Sequence, residues 1–169
     1  MLKLFSFDRL LEQATRRFQS LPESIQRELK ESLENGKGIL RQRDQMDAYL
    51  HFYGEIHRQK LLRAFKHLPE SLHNRNISVI DWGCGQGLAS MIFSDYMEKE
   101  QLSLNTITDL SLIDPSKICL NRAIGFLEWI IPKTWISTIV AQEQAIHPDD
   151  LCIQEDYVIH LLSNVVDMP

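Results

Sequence analysis

The residues Val79-Ile80-Asp81-Trp82-Gly83-Cys84-Gly85-Gln86-Gly87 hold the densest chemical information in this chain. An apolar run, Ile77 to Ile80, ends in an acid and breaks into three alternating glycines. A helix-like segment follows at once, from Leu88 to about Lys99. Strand, glycine turn and helix in that order bring a backbone close to a nucleotide-like ligand. Without Cβ atoms the glycines let the chain turn tightly and the ligand approach. Asp114 follows after one further helix and strand. A carboxylate there has two acceptor oxygens for the two hydroxyl donors of a ribose cis-diol. On its own, Asp114 would read as a surface acid opening a turn before Pro115; its distance from the glycine loop favours the ribose role.

The details of the turn select among ligands. A dinucleotide loop has the pattern Gly-x-Gly-x-x-Gly, but here the third glycine comes one position early and Leu88 stands where that pattern needs glycine. No Gly-Lys-Ser/Thr phosphate loop occurs. Asp81, directly before the turn, disfavours a pyrophosphate and favours a cation. The pattern points to a positively charged, ribose-bearing ligand without phosphates.

These residues require an alternating scaffold to hold them. From residue 77 the pattern predicts strands at Ile77–Asp81, 111–114, 135–141 and Tyr157–Leu162, with helices at about 87–100 and 116–130. Strands separated by helices pair in parallel through right-handed crossovers. The expected fold is therefore α/β, a Rossmann-like open sheet, with Asp81, Asp114, Ser163 and Asn164 at strand ends, where such sheets bind ligands. Residues 1–76 read instead as helices. One is expected at about 7–19. A second should start near Leu21 behind a Ser20–Glu23 capping box and stop at Asn35-Gly36. A third should run from about Arg43 to Lys66. Two units are expected: a helical segment, 1–76, and an α/β core, 77–169.

Charge divides at the same place. Residues 1–76 hold 14 of the 18 Lys+Arg and 10 of the 23 Asp+Glu, so the remainder is strongly acidic. A basic half could meet RNA, but its cations are interleaved with acids, as on a solvated helical face. No apolar run is long enough to span a bilayer, and no secretory signal is visible, so a cytoplasmic protein is expected. Cys84, Cys119 and Cys152 are widely spaced, which fits neither a disulfide framework nor a zinc site. The six histidines make no His-x-x-x-His pair, and no metal is expected. Tyr49, His51, Phe52 and Tyr53 form an aromatic cluster on the third helix. It is read as core packing, with closure over a ligand pocket as the alternative.

The nine-residue stretch resembles motif I of the class I SAM-dependent methyltransferases. Leu112-Ile113-Asp114-Pro115-Ser116 is similar to the acidic second motif of that family, and Asp156 to Asn164 to its fourth strand and the polar residues after it. The resemblance covers about residues 77–167. It implies S-adenosylmethionine as cofactor and an unknown methyl acceptor. It places Gly83, Cys84, Gly85 and Gly87 at the cofactor loop and Asp81 near the methionine amino group, directly or through water. Asp114 would hold the ribose, Pro115 would flank the adenine, and Ser163 and Asn164 would face the substrate. Glu143 and Asp149 are alternative partners for the adenine amino group. No catalytic base is implied.

Two departures qualify the resemblance. The fourth strand does not end in Asn-Pro-Pro-Tyr, so planar amino groups are not supported as acceptors, and no Pro-Cys pair marks cytosine-C5 chemistry. The family sheet has seven strands, whereas the fourth strand here is the last before Pro169. With the family's order the strands lie 3-2-1-4, and the apolar fourth is an unpaired edge. A truncated chain, a degenerate copy, or an oligomer or partner covering that edge would each account for this. A non-catalytic SAM-binding or interaction module is the alternative to an enzyme, and an NAD-type domain ranks below both.

Overall fold

The computed structural model describes residues 6–142, 145–151 and 153–163. Three helices come first: α1 (Phe7–Gln19), α2 (Glu23–Ser32) and α3 (Arg43–Phe65). Then follow β1 (Ile77–Trp82), α4 (Leu88–Lys99), β2 (Ile107–Ile113), α5 (Lys117–Ile130), β3 (Trp135–Ile139) and β4 (Val158–Leu162). The strands form one parallel sheet in the order β3-β2-β1-β4, the expected Rossmann-like arrangement. The parallel pairs β1–β2 and β2–β3 are each joined through a helix, α4 and α5.

Register decides which residues enter the core. Val79 pairs with Leu110 and Ile159, and Leu110 with Ile136, so these four project to one face. That face packs on Leu88, Ile92, Leu120 and Leu127 of α4 and α5. Phe7 and Leu10 of α1 and Leu50 and Phe65 of α3 share the same core. Each such side chain stabilises the fold by about 1.5–3 kcal/mol through burial. The amide of Phe7 donates to Asp95 Oδ2 on α4 at 3.0 Å, so an orphan donor of the first turn of α1 is satisfied by the sheet-bearing part of the chain. A second cluster joins Phe18, Leu29, Leu33, Leu40 and Met46 to Cys119 on α5.

A charged cluster crosses the same boundary. Asp47 on α3 accepts from Arg17 Nε at 2.6 Å and Nη2 at 2.9 Å, and from Arg122 Nη2 on α5 at 2.7 Å. Burial alone would raise the Asp47 carboxyl, but the hydrogen bonds and charges of the two arginines outweigh it and hold it below its ordinary value.

Two local expectations are corrected. The Ser20–Glu23 capping box does not form. Ser20 Oγ donates back to Arg17 O at 2.7 Å, and Pro22 precedes α2, which starts two residues later than expected. Strand β2 starts at Ile107, four residues early, because its polar residues are paired inside the sheet. Asp109 Oδ2 accepts from Ser78 Oγ at 2.7 Å and from Thr108 Oγ1 at 2.9 Å. Ser78 Oγ in turn accepts the amides of Gln154 and Glu155, each at 3.1 Å, which anchors the chain just before β4. In the described residues β4 pairs with β1 alone and is a sheet edge. No described helix is long and apolar enough to cross a membrane.

Candidate functional site

The glycine turn after β1 is forced into a conformation that other residues rarely adopt. Gly83, Gly85 and Gly87 have φ of 57°, 53° and 81°. The turn is fastened on three sides. Cys84 N donates to Ile113 O at 2.9 Å, Gly87 N to Cys84 O at 2.8 Å, and the Gln86 side-chain amide to Met46 O on α3 at 2.9 Å.

The glycines divide by role. A Cβ on Gly85 would meet no atom within 4 Å, and Gly85 lines a cleft of about 750 Å³. That volume suits a nucleoside-sized ligand. A Cβ on Gly87 would lie 3.0 Å from Ala123 Cβ and 3.2 Å from Leu127 Cδ1. Gly87 therefore serves the close approach of α4 to α5 and is not in the cleft wall.

Asp114 leaves β2 at the cleft and lines it, together with Pro115, Gly83 and Cys84. Its Oδ2 accepts from Gly85 N at 2.8 Å and its Oδ1 from Ser116 N at 2.7 Å. Two backbone amides thus fix the carboxylate and tie it to the glycine turn. Ser116 caps α5 by accepting from Cys119 N at 3.4 Å, and its hydroxyl donates to Leu40 O.

Asp81 behaves differently. It is fully buried on the core side of β1, under α4, and does not line the cleft. Its Oδ2 accepts from Ser90 Oγ at 2.6 Å and Ser90 N at 3.1 Å, while Oδ1 has no partner. Burial pushes its carboxyl up, the Ser90 bonds oppose this, and the charge of Asp114 adds to it, to about 7. Burial, with the charges of Asp81 and Asp114, pushes the Cys84 thiol well up, so it is no nucleophile at neutral pH.

At the far end Ser163 lines the cleft. Asn164 and Glu143 lie outside the described residues. Asp149 sits in a short turn beside His147, at 3.2 Å, with its side chain 92% exposed, and it is not in the cleft wall. No group of three or more metal-ligating side chains occurs among the described residues.

The cleft has a second wall that the sequence reading missed. Gly36, Lys37, Gly38 and Arg41, with Gln45 and Tyr49 of α3, close it from the helical segment. The link from α2 to α3 turns through Glu34, Asn35 and Gly36, all at positive φ. A Cβ on Gly38 would be 2.7 Å from Ser32 O. The signal available was Asn35-Gly36, expected as a helix stop, with Lys37-Gly38 directly after it. Of the aromatic cluster, Tyr49 turns to the cleft, while His51 stacks on Phe18 at 4.7 Å and Phe52 meets it edge-on at 5.2 Å.

No family model and no curated protein matches this chain. Partial likenesses to solved structures do exist. One is a SAM-dependent methyltransferase from Leishmania major, 16% identical, with TM-score 0.37, covering 81% of this chain and 42% of that one. Another is the plantazolicin methyltransferase in complex with SAH, 17% identical, TM-score 0.33, covering 93% and 49%. A third, from Listeria monocytogenes, is assigned to the class I SAM-dependent methyltransferases, at 16% identity and TM-score 0.38, covering 93% and 58%. All three are described as methyltransferases. The chain spans about half the length of these structures.

Proposed function

We propose that the cleft binds S-adenosylmethionine and that the protein is a SAM-dependent methyltransferase. One observation carries the reading: the Asp114 carboxylate is clamped by Gly85 N at the point where the glycine turn opens on the cleft. The residues present fit the cofactor. The Gly85 backbone offers a surface without side chains, Asp114 suits a ribose diol, and Lys37 and Arg41 supply positive charge for a carboxylate. Asp81, out of the cleft wall, acts by fixing the first turn of α4 through Ser90. When bound, the cofactor supplies a methyl group already activated by its sulfonium. The protein's share is to orient the acceptor and exclude water. The second wall, residues 36–49, serves that exclusion.

Titration calorimetry with SAM, its demethylated product and NAD tests the reading. SAM and the product should bind and NAD should not. Asp114→Ala should weaken SAM binding roughly ten- to hundredfold, the loss of about 1.5–3 kcal/mol from hydrogen bonds to a charged group. NAD binding without SAM binding, or undiminished affinity in Asp114→Ala, would refute it.

A further inference from the structure

Tyr49 and His57 have no part in the cofactor contacts above. Tyr49 lines the cleft, and His57, two turns further along α3, is buried at 4% exposure. The Tyr49 hydroxyl lies 3.0 Å from His57 Nε2, and the two rings are 10° from parallel. His57 Nδ1 has no hydrogen-bond partner. The Ser163 backbone is nonetheless near enough to favour protonation of the ring, and Ser163 lines the cleft at the end of β4. The phenol and the imidazole thus reach from one cleft wall to the strand end on the other.

A relay from the cleft needs the phenol to donate to the ring, and that needs the neutral imidazole to carry its proton on Nδ1. Nε2 is then the acceptor and the Tyr49 hydroxyl donates to it. Burial first, then the charge of Lys60 on the same helix, lowers the His57 pKa, and Ser163 opposes them in part. The ring is neutral at pH 7 and able to take a proton. An apolar pair would fill this position without burying an unpaired ring nitrogen. Core packing alone does not call for these two residues.

We infer that Tyr49 and His57 form a proton relay serving a neutral hydroxyl acceptor, of the phenol or alcohol class, at the Ser163 end of the cleft. The inference rests on the cofactor reading. The acceptor oxygen bonds to the methyl carbon, and the carbon–sulfur bond breaks with its electron pair going to sulfur. The acceptor's proton passes to the Tyr49 oxygen while the phenolic proton of Tyr49 passes to His57 Nε2. The imidazolium releases its proton to water after the product leaves. A carboxylate acceptor would need no base. A neutral amine already has a free lone pair to attack with and sheds its proton after transfer, so it needs no base in the transfer step itself.

Nitrogen-15 NMR of the imidazoles in the whole chain, with no ligand, reads the geometry first. His57 should be the Nδ1–H tautomer, and Tyr49→Phe should shift the Nε2 resonance; an Nε2–H tautomer, or no shift, overturns the relay. Catechol, benzylamine and benzoate are then offered with methyl-labelled SAM. Label should enter catechol. Tyr49→Phe and His57→Gln should each lower kcat roughly 10²- to 10⁴-fold with calorimetric SAM affinity unchanged. The wild-type rate should fall as pH drops through the His57 pKa, below its ordinary 6.5, and Tyr49→Phe should abolish that dependence. SAM binding with transfer only to benzylamine or benzoate, with no transfer, or with wild-type kcat in both variants overturns the relay alone. No SAM binding overturns the cofactor reading, and the relay with it.

Discussion

Gly85→Ala and Gly87→Ala are expected to fail in different ways, although only Gln86 separates the two glycines. Both positions lie at positive φ, at 53° and 81°. An alanine at either therefore costs about 1–2 kcal/mol in backbone strain. At Gly85 nothing else is added, because a Cβ there would meet no atom within 4 Å. At Gly87 the new methyl would press on Ala123 Cβ at 3.0 Å, Leu127 Cδ1 at 3.2 Å and Ala123 Cα at 3.5 Å. Ala123 and Leu127 are fully buried. Overpacking of that kind costs about 1–3 kcal/mol. The two costs together make about 2–5 kcal/mol for Gly87→Ala, against about 1–2 kcal/mol for Gly85→Ala. Urea unfolding followed by circular dichroism measures both. Calorimetry should show the reverse order for ligand, with Gly85→Ala losing SAM affinity because its methyl projects toward the cleft. Equal destabilisation by the two substitutions, or a larger effect on SAM binding from Gly87→Ala in folded protein, would refute the division of roles.

Asp47→Ala should destabilise the fold by about 3 kcal/mol, the lower end for breaking a buried ion pair, since Arg17 remains partly exposed while Arg122 is left buried; urea unfolding reads it. Because the Asp47 pKa is held below its ordinary 3.8, its contribution is present at neutral pH and lost as acid takes the pH down through the folded value. The wild-type stability curve should therefore lose its acid limb in Asp47→Ala. Asp81 gives the opposite sign. With a folded pKa of about 7 against an ordinary 3.8, its protonated form is the one the fold prefers, so its contribution declines as pH rises from about 4 to 7. Asp81→Asn should be at least as stable as wild type at pH 8, and unfolding curves at pH 5 and pH 8 should differ less than in wild type.

Much of the fold was legible because local signals agreed with one another. The third helix, expected from about Arg43 to Lys66, and the first strand, expected at Ile77–Asp81 from its apolar run, lie within a residue of those bounds. The glycine turn and Asp114 were legible as a pair because strand ends in a parallel sheet bring such residues to one edge. The front half of β2 was hidden because Thr108 and Asp109 are polar, and only their partners, Ser78 among them, make a buried strand of them. The Ser20–Glu23 signature misled because Ser20 stays with α1 as its C-cap, its amide and hydroxyl both donating to carbonyls of that helix's last turn.

By itself the sequence determined the order of elements, the glycine turn and the acid one strand later. Backbone preferences and short-range hydrogen bonds act within a few residues, and spacing records them. Only the tertiary structure decided which side each residue serves. It drew Asp81 under α4 and pressed Gly87 on α5. It folded residues 36–49 over the cleft and set Tyr49 against His57 beside Ser163. The packing of Gly87 on Ala123 and Leu127 and the closing of the cleft by residues 36–49 join elements far apart in the chain, and even the near pairs Asp81–Ser90 and Tyr49–His57 take their burial from such elements.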